Sequence, residues 1–269
     1  TFERHAGLTL DFQRTPVSGF PWAFRATFHD PHAAGTVDGR HIDWQGPDLE
    51  LRLSPFDLET IHFSAPGRYR FDLGAGETAL DAETLKGKIA FRRDGSLAAA
   101  DAAATALKLA MPDGVATAAD AASLAIALPA TPAQGDRDPA GTFSIEAWNL
   151  TLPAGTILVT GDPLSRVQIA GSVKGPIAAP PLRSALAAWS QQGGTLEIGS
   201  FTLSQPPLTL SGSATLALDR DLQPIGAASM TARGLGETID ILAKQGRIAV
   251  GDALRFKLFV KGAQSPAPD

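Results

Sequence analysis

Leu208-Thr209-Leu210-Ser211-Gly212-Ser213-Ala214-Thr215-Leu216-Ala217-Leu218 is the stretch that decides the fold class. Leu208, Leu210, Ala214, Leu216 and Leu218 fall on one parity, and Thr209, Ser211, Ser213 and Thr215 on the other. Successive side chains of a strand point to opposite faces, so this segment is a strand with one dry face and one wet face. The pattern recurs roughly a dozen times along the chain.

Toward the N-terminus the same alternation appears in Leu8-Leu10-Phe12, in Leu49-Leu51-Leu53, in Ile61-Phe63 and in Tyr69-Phe71-Leu73. Trp22, Phe24, Ala26 and Phe28 share one parity after a break at Gly19-Phe20-Pro21, and Pro55, Pro66 and Gly67 mark turns. The middle is rich in alanine, a helix former. Yet Leu107-Leu109-Met111 and Leu124-Ile126-Leu128 alternate on either side of Pro112-Asp113-Gly114, which predicts a strand pair. Toward the C-terminus come Phe143-Ile145, Val167-Ile169-Val173, Leu196-Ile198, Phe201-Leu203 and Leu254-Phe256-Leu258-Val260. Parity flips between Ile198 and Phe201, as a β-bulge at Gly199-Ser200 would make it do. Helical spacing is confined to Leu182–Gln192, ending at Gly193, and Glu237–Gln245, ending at Gly246.

The expected fold is therefore mainly β: curved antiparallel sheets forming a sandwich, a barrel or a groove, with two short helices. Thr131–Gly141, rich in proline and glycine, is the natural boundary between an N-terminal β subdomain (1–135) and a C-terminal one (136–269), or a loop within one continuous domain. Gly87–Gly95 and Gly212–Asp221 each run a strand into a charged turn, which suggests related halves.

Composition removes several classes of function. The 269 residues are 44% hydrophobic, ample for a core, and the net charge of −5 argues against a nucleic-acid partner. Cysteine is absent, which suits an oxidising compartment without requiring one. No apolar run approaches the ~18 residues of a membrane helix. His29-Asp30-Pro31-His32 offers metal-ligand types, but Pro31 makes it a turn and no distant cluster closes a shell, so no metal is expected. Asp48 with Glu50, and Asp219 with Asp221, read as surface and turn carboxylates rather than a glycosidase pair. No nucleophile elbow, Walker loop or dinucleotide fingerprint is present, and Asn149-Leu150-Thr151 is only a formal glycosylation sequon. No catalytic residue or cofactor is expected, and the chain does not read as an enzyme.

The positive signal is the apolar face. Many strands, each offering about three inward apolar residues, make more sheet surface than two short helices can cover. The sheet either closes on itself or presents a groove lined by Leu, Ile, Val, Ala and Gly, a lining that suits acyl chains or other lipids. A ligand on such a groove would meet Val167, Ile169 and Val173, then Leu208, Leu210, Leu216 and Leu218, with Trp22, Phe24 and Phe28 closing one end. The competing expectation is a closed core whose edge strands recruit an envelope partner protein.

Gly19-Phe20-Pro21-Trp22-Ala23-Phe24-Arg25 with Asp30-Pro31, and Leu208–Leu218 leading through Asp219-Arg220-Asp221 to Ile225–Leu235, resemble an uncharacterised alphaproteobacterial family, domain of unknown function 2125. The resemblance spans most of the chain. It implies a periplasmic protein anchored to the inner membrane by an N-terminal helix that this chain lacks. Its hairpin style is similar to that of AsmA-like lipid-transfer proteins. It supplies no catalytic residues.

Overall fold

A strand with one wet face needs partners on its edges, and short turns supply the neighbour in sequence. The computed structural model describes residues 2–3, 8–37, 40–72, 74, 76–114, 116–153, 163–177, 182–249, 251–252 and 254–255. Among these, sixteen strands join one antiparallel sheet, laid down as an up-and-down meander. β1 (Phe2–Glu3) pairs with β2 (Leu8–Arg14), and β2 with β3 (Phe24–Val37). β4 (Arg40–Gln45) and β5 (Leu49–Ser54) return in succession along the other edge of β3. β6 (Asp57–Ser64) lies beside β5 and β7 (Gly67–Asp72) beside β4. β8 (Glu77–Ala82) then pairs with β7, and β9 (Thr84–Phe91) with β6.

β10 (Leu97–Ala110) spans both β9 and β8. From there the passes run unbroken. β11 (Ala116–Ala127), β12 (Pro139–Leu150), β13 (Leu164–Lys174), β14 (Thr195–Gln205), β15 (Leu208–Leu218) and β16 (Pro224–Arg233) each pair with the strand before. The pairing of β11 with β12 carries the sheet across Thr131–Gly141 without interruption. The alanine-rich segments are strands, because their larger residues alternate and Gly114, at φ 79°, closes the turn between them. The parity flip in β14 is a bulge. Ile198 and Phe201 face Ala214 and Gly212, so β14 carries one residue more than β15 there.

The two helices fall where helical spacing placed them: α1 (Leu182–Gln191), between β13 and β14, and α2 (Leu235–Lys244), after β16. Trp189 Nε1 donates to the Lys174 carbonyl oxygen at 2.7 Å, and Ser190 Oγ to that of Leu218 at 2.7 Å. These bonds fix α1 across the ends of β13 and β15. Buried Ile239 and Thr238 hold α2 to the sheet beside β15.

Two expectations are corrected. Trp22 is not in a strand with Phe24: the Gly19 carbonyl accepts the N–H groups of both Trp22 and Ala23, closing a turn over Phe20-Pro21-Trp22. Leu254 lies in a helical turn rather than a strand, with Arg255 reaching Asp252 at 3.6 Å; Phe256, Leu258 and Val260 lie outside the described residues.

One row of irregular residues crosses the meander. Asp30 (φ 45°), Ala106 (φ 51°) and Asn149 (φ 50°) are left-handed within or at the end of strands. The breaks at Gly46-Pro47-Asp48, Ala65-Pro66 and Glu83 occupy the corresponding place in the split passes. Ala106 lies between the Thr105–Ala121 and Leu107–Ala119 pairs, opposite Asp120, and Asn149 Nδ2 donates to Asp120 Oδ2 at 2.7 Å. Apolar parity changes at this row: Ala102 and Ala104 give way to Leu107 and Leu109, and Leu124 and Ile126 to Ala119. A residue outside the extended region interrupts the two-residue period, so the row divides the sheet into two panels.

The sheet is open. Among the described residues, β16 pairs only with β15, nothing joins it to β1 or β2, and the strands form neither a closed barrel nor a two-sheet sandwich. The accessible surface is 17422 Å². A compact monomer of 28.0 kDa exposes about 11,000 Å². The buried apolar residues are mostly alanines, among them Ala65, Ala82, Ala104, Ala119 and Ala147. Large side chains are left half-covered.

Candidate functional site

Antiparallel register places directly opposed residues on the same face, so the pairings extend one strand's alternation across the whole panel. One row runs Phe24, Leu53, Ile61, Ile89, Ala100, Ile126, Phe143, Gly171, Ile198, Ala214 and Ala228. The next runs Ala26, Leu51, Phe63, Gly87, Ala102, Leu124, Ile145, Ile169, Phe201, Gly212 and Met230 through the same pairings. A third joins Leu85, Ala104, Ala122, Ala147, Val167, Leu203, Leu210 and Ala232. Neither long row contains a charged or hydrogen-bonding side chain. At ~4.8 Å per strand, the long rows extend about 48 Å from β3 to β16.

The middle of this band is uncovered. Leu124 and Ile145, directly opposed on β11 and β12, are 45% and 39% exposed. Side chains inside a sandwich would be buried, so among the described residues no second layer lies over them. A hollow of 420 Å³ lies at the β14 bulge, lined by Ile198, Ala214 and Ala228 together with Glu197, Ser213, Thr215 and Ser229, and another of 660 Å³ lies outside the rows, between α1 and the Leu218–Leu222 turn.

The opposite face is polar and paired. Arg25 meets Glu50 at 3.1 Å, Lys88 meets Asp101 at 3.7 Å, and Lys174 meets Glu197 at 2.8 Å. Across the irregular row, Arg68 grips Asp81 with two bonds of 2.8 Å, which hold that carboxyl below its ordinary range. Tyr69 lies opposite Leu80; burial pushes its phenol upward, and its hydroxyl donates to the Ala65 carbonyl.

Of the residues singled out from sequence, Val167, Ile169, Val173, Leu210 and Leu216 share the apolar face through Leu203, Phe201 and Leu196. Leu208, buried, and Leu218 sit at the two ends of β15. Phe24 and Phe28 lie on the same face of β3, at the far end of the rows, and Trp22 stands outside the sheet, 78% exposed. The centre of the band, Leu124, Phe143 and Ile145, lies outside the contacts expected from sequence, although its residues alternate as regularly as those of β13 and β15.

The other candidates are engaged locally. His29 Nδ1 lies 2.8 Å from Asp48 and His32 Nε2 lies 3.1 Å from Asp43, so each imidazole has its own carboxylate. Among the described residues no group of three or more His, Cys, Asp or Glu converges on a metal-sized site. Asp219 accepts the backbone N–H groups of Asp221 and Gln223, which makes it a turn residue.

The family described as "uncharacterized protein conserved in bacteria", domain of unknown function 2125, matches residues 1–263. The chain belongs to this family. Neither a curated protein nor a solved structure matches it. For a member of the domain of unknown function 2125 family, the open apolar band is therefore the feature from which function has to be argued.

Proposed function

We propose that the protein is a lipid-binding or lipid-transfer module that holds acyl chains, or a similarly elongated apolar ligand, along the apolar face of its open sheet. The supporting observation is the uncovered band, with Leu124 and Ile145 exposed at its centre. Ten steps of ~4.8 Å by about four residues at ~3.4 Å give roughly 650 Å² in plan. Monomeric proteins rarely expose contiguous apolar patches of that size unless something binds there. An acyl chain needs apolar area and no hydrogen-bond partners, which is what the rows offer. In this reading the module works in the periplasm beside the inner membrane, where a lipid leaving a bilayer needs shelter from water.

The test is lipid extraction from the purified protein, together with uptake of a fluorescent fatty acid. Leu124→Glu with Ile145→Glu should abolish uptake while leaving the fold intact, because both positions are already open to solvent. Absence of extracted lipid, with no probe uptake by the wild type, overturns the reading.

A second reading has its own observation. The outer edge of β16 pairs with no strand among the described residues, and Ile225–Ala232 carries no charge to discourage pairing. An envelope protein adding a strand there would make the chain an interaction module. Retention of a partner by a lipid-free protein, lost on Ala228→Pro, would favour it.

A further inference from the structure

Among the described residues, the four most exposed large apolar side chains, Phe56, Trp22, Phe20 and Leu58, are not in the band. Phe20 (77%), Trp22 (78%) and Val17 (57%) stand on the segment before β3, Phe56 (84%) on the turn joining β5 and β6, and Leu58 (66%) beside it at the start of β6. The two turns are neighbours, since Phe24 directly opposes Leu53. We propose that these paired turn tips dock the protein onto the surface of a phospholipid bilayer.

Three features favour a bilayer over another occupant. First, the tips are poor in charge: Thr15–Phe24 and Leu53–Phe56 contain no ionisable residue, and Asp57, between Phe56 and Leu58, is the single carboxylate among them. Arginines stand behind them, Arg25 bonded to Glu50 and Arg93, 95% exposed, bonded to Glu59 at 3.3 Å. Apolar tips backed by ion pairs match the layering of acyl boundary and polar headgroups.

Second, several backbone donors at the tips are satisfied internally. Trp22 and Ala23 N–H bond to the Gly19 carbonyl, Ser18 and Arg25 exchange bonds, and Phe56 N–H reaches Ser54 Oγ at 3.2 Å. Pro21 and Pro55 have no N–H to lose. Peptide groups entering an apolar boundary must already be paired, and a tip meant for water carries no such requirement.

Third, the tips lead into the apolar rows. The Phe20 ring lies 6.2 Å from that of Phe24, the first residue of a long row. The docking proposal rests on the tips alone. Joined to the lipid-binding reading, it makes this end of the sheet the place where acyl chains pass between bilayer and protein.

Co-sedimentation with vesicles of phosphatidylethanolamine and phosphatidylglycerol tests it. The wild type should pellet with vesicles, and Trp22→Ser with Phe56→Ser should weaken partitioning by about a hundredfold. Trp22→Phe, which keeps the apolar area, should retain most of it. Uptake of a soluble fluorescent fatty acid should be unchanged by the serine variant and lost in the Leu124→Glu, Ile145→Glu protein. These two assays therefore fail separately if only one proposal is wrong. Three results overturn docking: a wild type that stays in the supernatant, a serine variant that pellets equally well, or a wild-type dimer that the serine variant dissolves without any vesicle binding.

Discussion

A Cβ placed on Gly87 would lie 2.0 Å from the Asp101 carbonyl oxygen and 2.6 Å from the Phe63 ring. Glycine at that point lets Phe63 lie across the row between β6 and β10, so part of the band's packing depends on a missing side chain. Gly87→Ala should cost roughly 1–3 kcal/mol in urea denaturation, through overpacking against backbone that cannot withdraw. Gly236, where nothing lies near an added Cβ, is the control; alanine there should stabilise α2 by about 0.5–1 kcal/mol. Asp138 tests the electrostatics of the loop before β12. Its carboxylate accepts the N–H groups of Gly135 and Gln134, which lowers its pKa. A carboxyl lowered in the folded state contributes its stability above the unfolded pKa, and that contribution is lost as pH falls through the folded one. Carbon-detected NMR should show Asp138 titrating below the ordinary aspartate range, with the loop amides shifting together, and Asp138→Asn should remove that coupled step. At this scale the sequence told which residues share a face, because parity follows from the pleat. It could not tell how exposed Leu124 is, since exposure depends on whether anything lies over the sheet.

At the scale of elements, the irregular row is where local rules and the meander meet. Alanine with a positive φ is disfavoured by contact between its Cβ and the backbone, at about 1–2 kcal/mol. Glycine relieves that contact but gives the unfolded chain more freedom to lose, a cost of about 0.5–1 kcal/mol. Ala106→Gly should therefore be neutral or stabilising by up to about 1 kcal/mol, whereas the same change at Ala102, in regular strand, should destabilise. Thermal denaturation of the two variants side by side gives the sign. The hairpins, both helices and the Gly199 bulge were legible because each leaves a local mark: a turn residue, a 3.6-residue stripe, a parity flip. The breaks at Glu83 and opposite Asp120 leave little such mark, because what aligns them is the register between passes. Trp22 departs from its alternation for a related reason. Its parity fits the strand, but the bonds to Gly19 that hold it in a turn are not visible in an alternation.

For the whole molecule, the sequence indicated a mainly β chain with too much apolar sheet for its helices, and left open whether that surface closes. Closure is a property of the ends, and the pairings leave β16 and the β1–β2 edge apart. The large accessible surface should be visible in solution as a radius of gyration well above the ~18 Å expected of a compact chain of this length.

Every pairing in the meander joins passes that are successive in the chain, so no part of the sheet waits for a distant segment to arrive. Stability then behaves as a sum of neighbour-to-neighbour terms, as in a linear array, and not as a single all-or-none unit. Amide exchange should accordingly open in graded steps inward from β16, and a chain ending at residue 223 should keep its remaining strands. The same arithmetic makes length adjustable. Each added or deleted hairpin changes the molecule's reach by about two strand spacings, close to 10 Å, without redesigning anything else. A protein assembled this way can be fitted to a gap by counting hairpins.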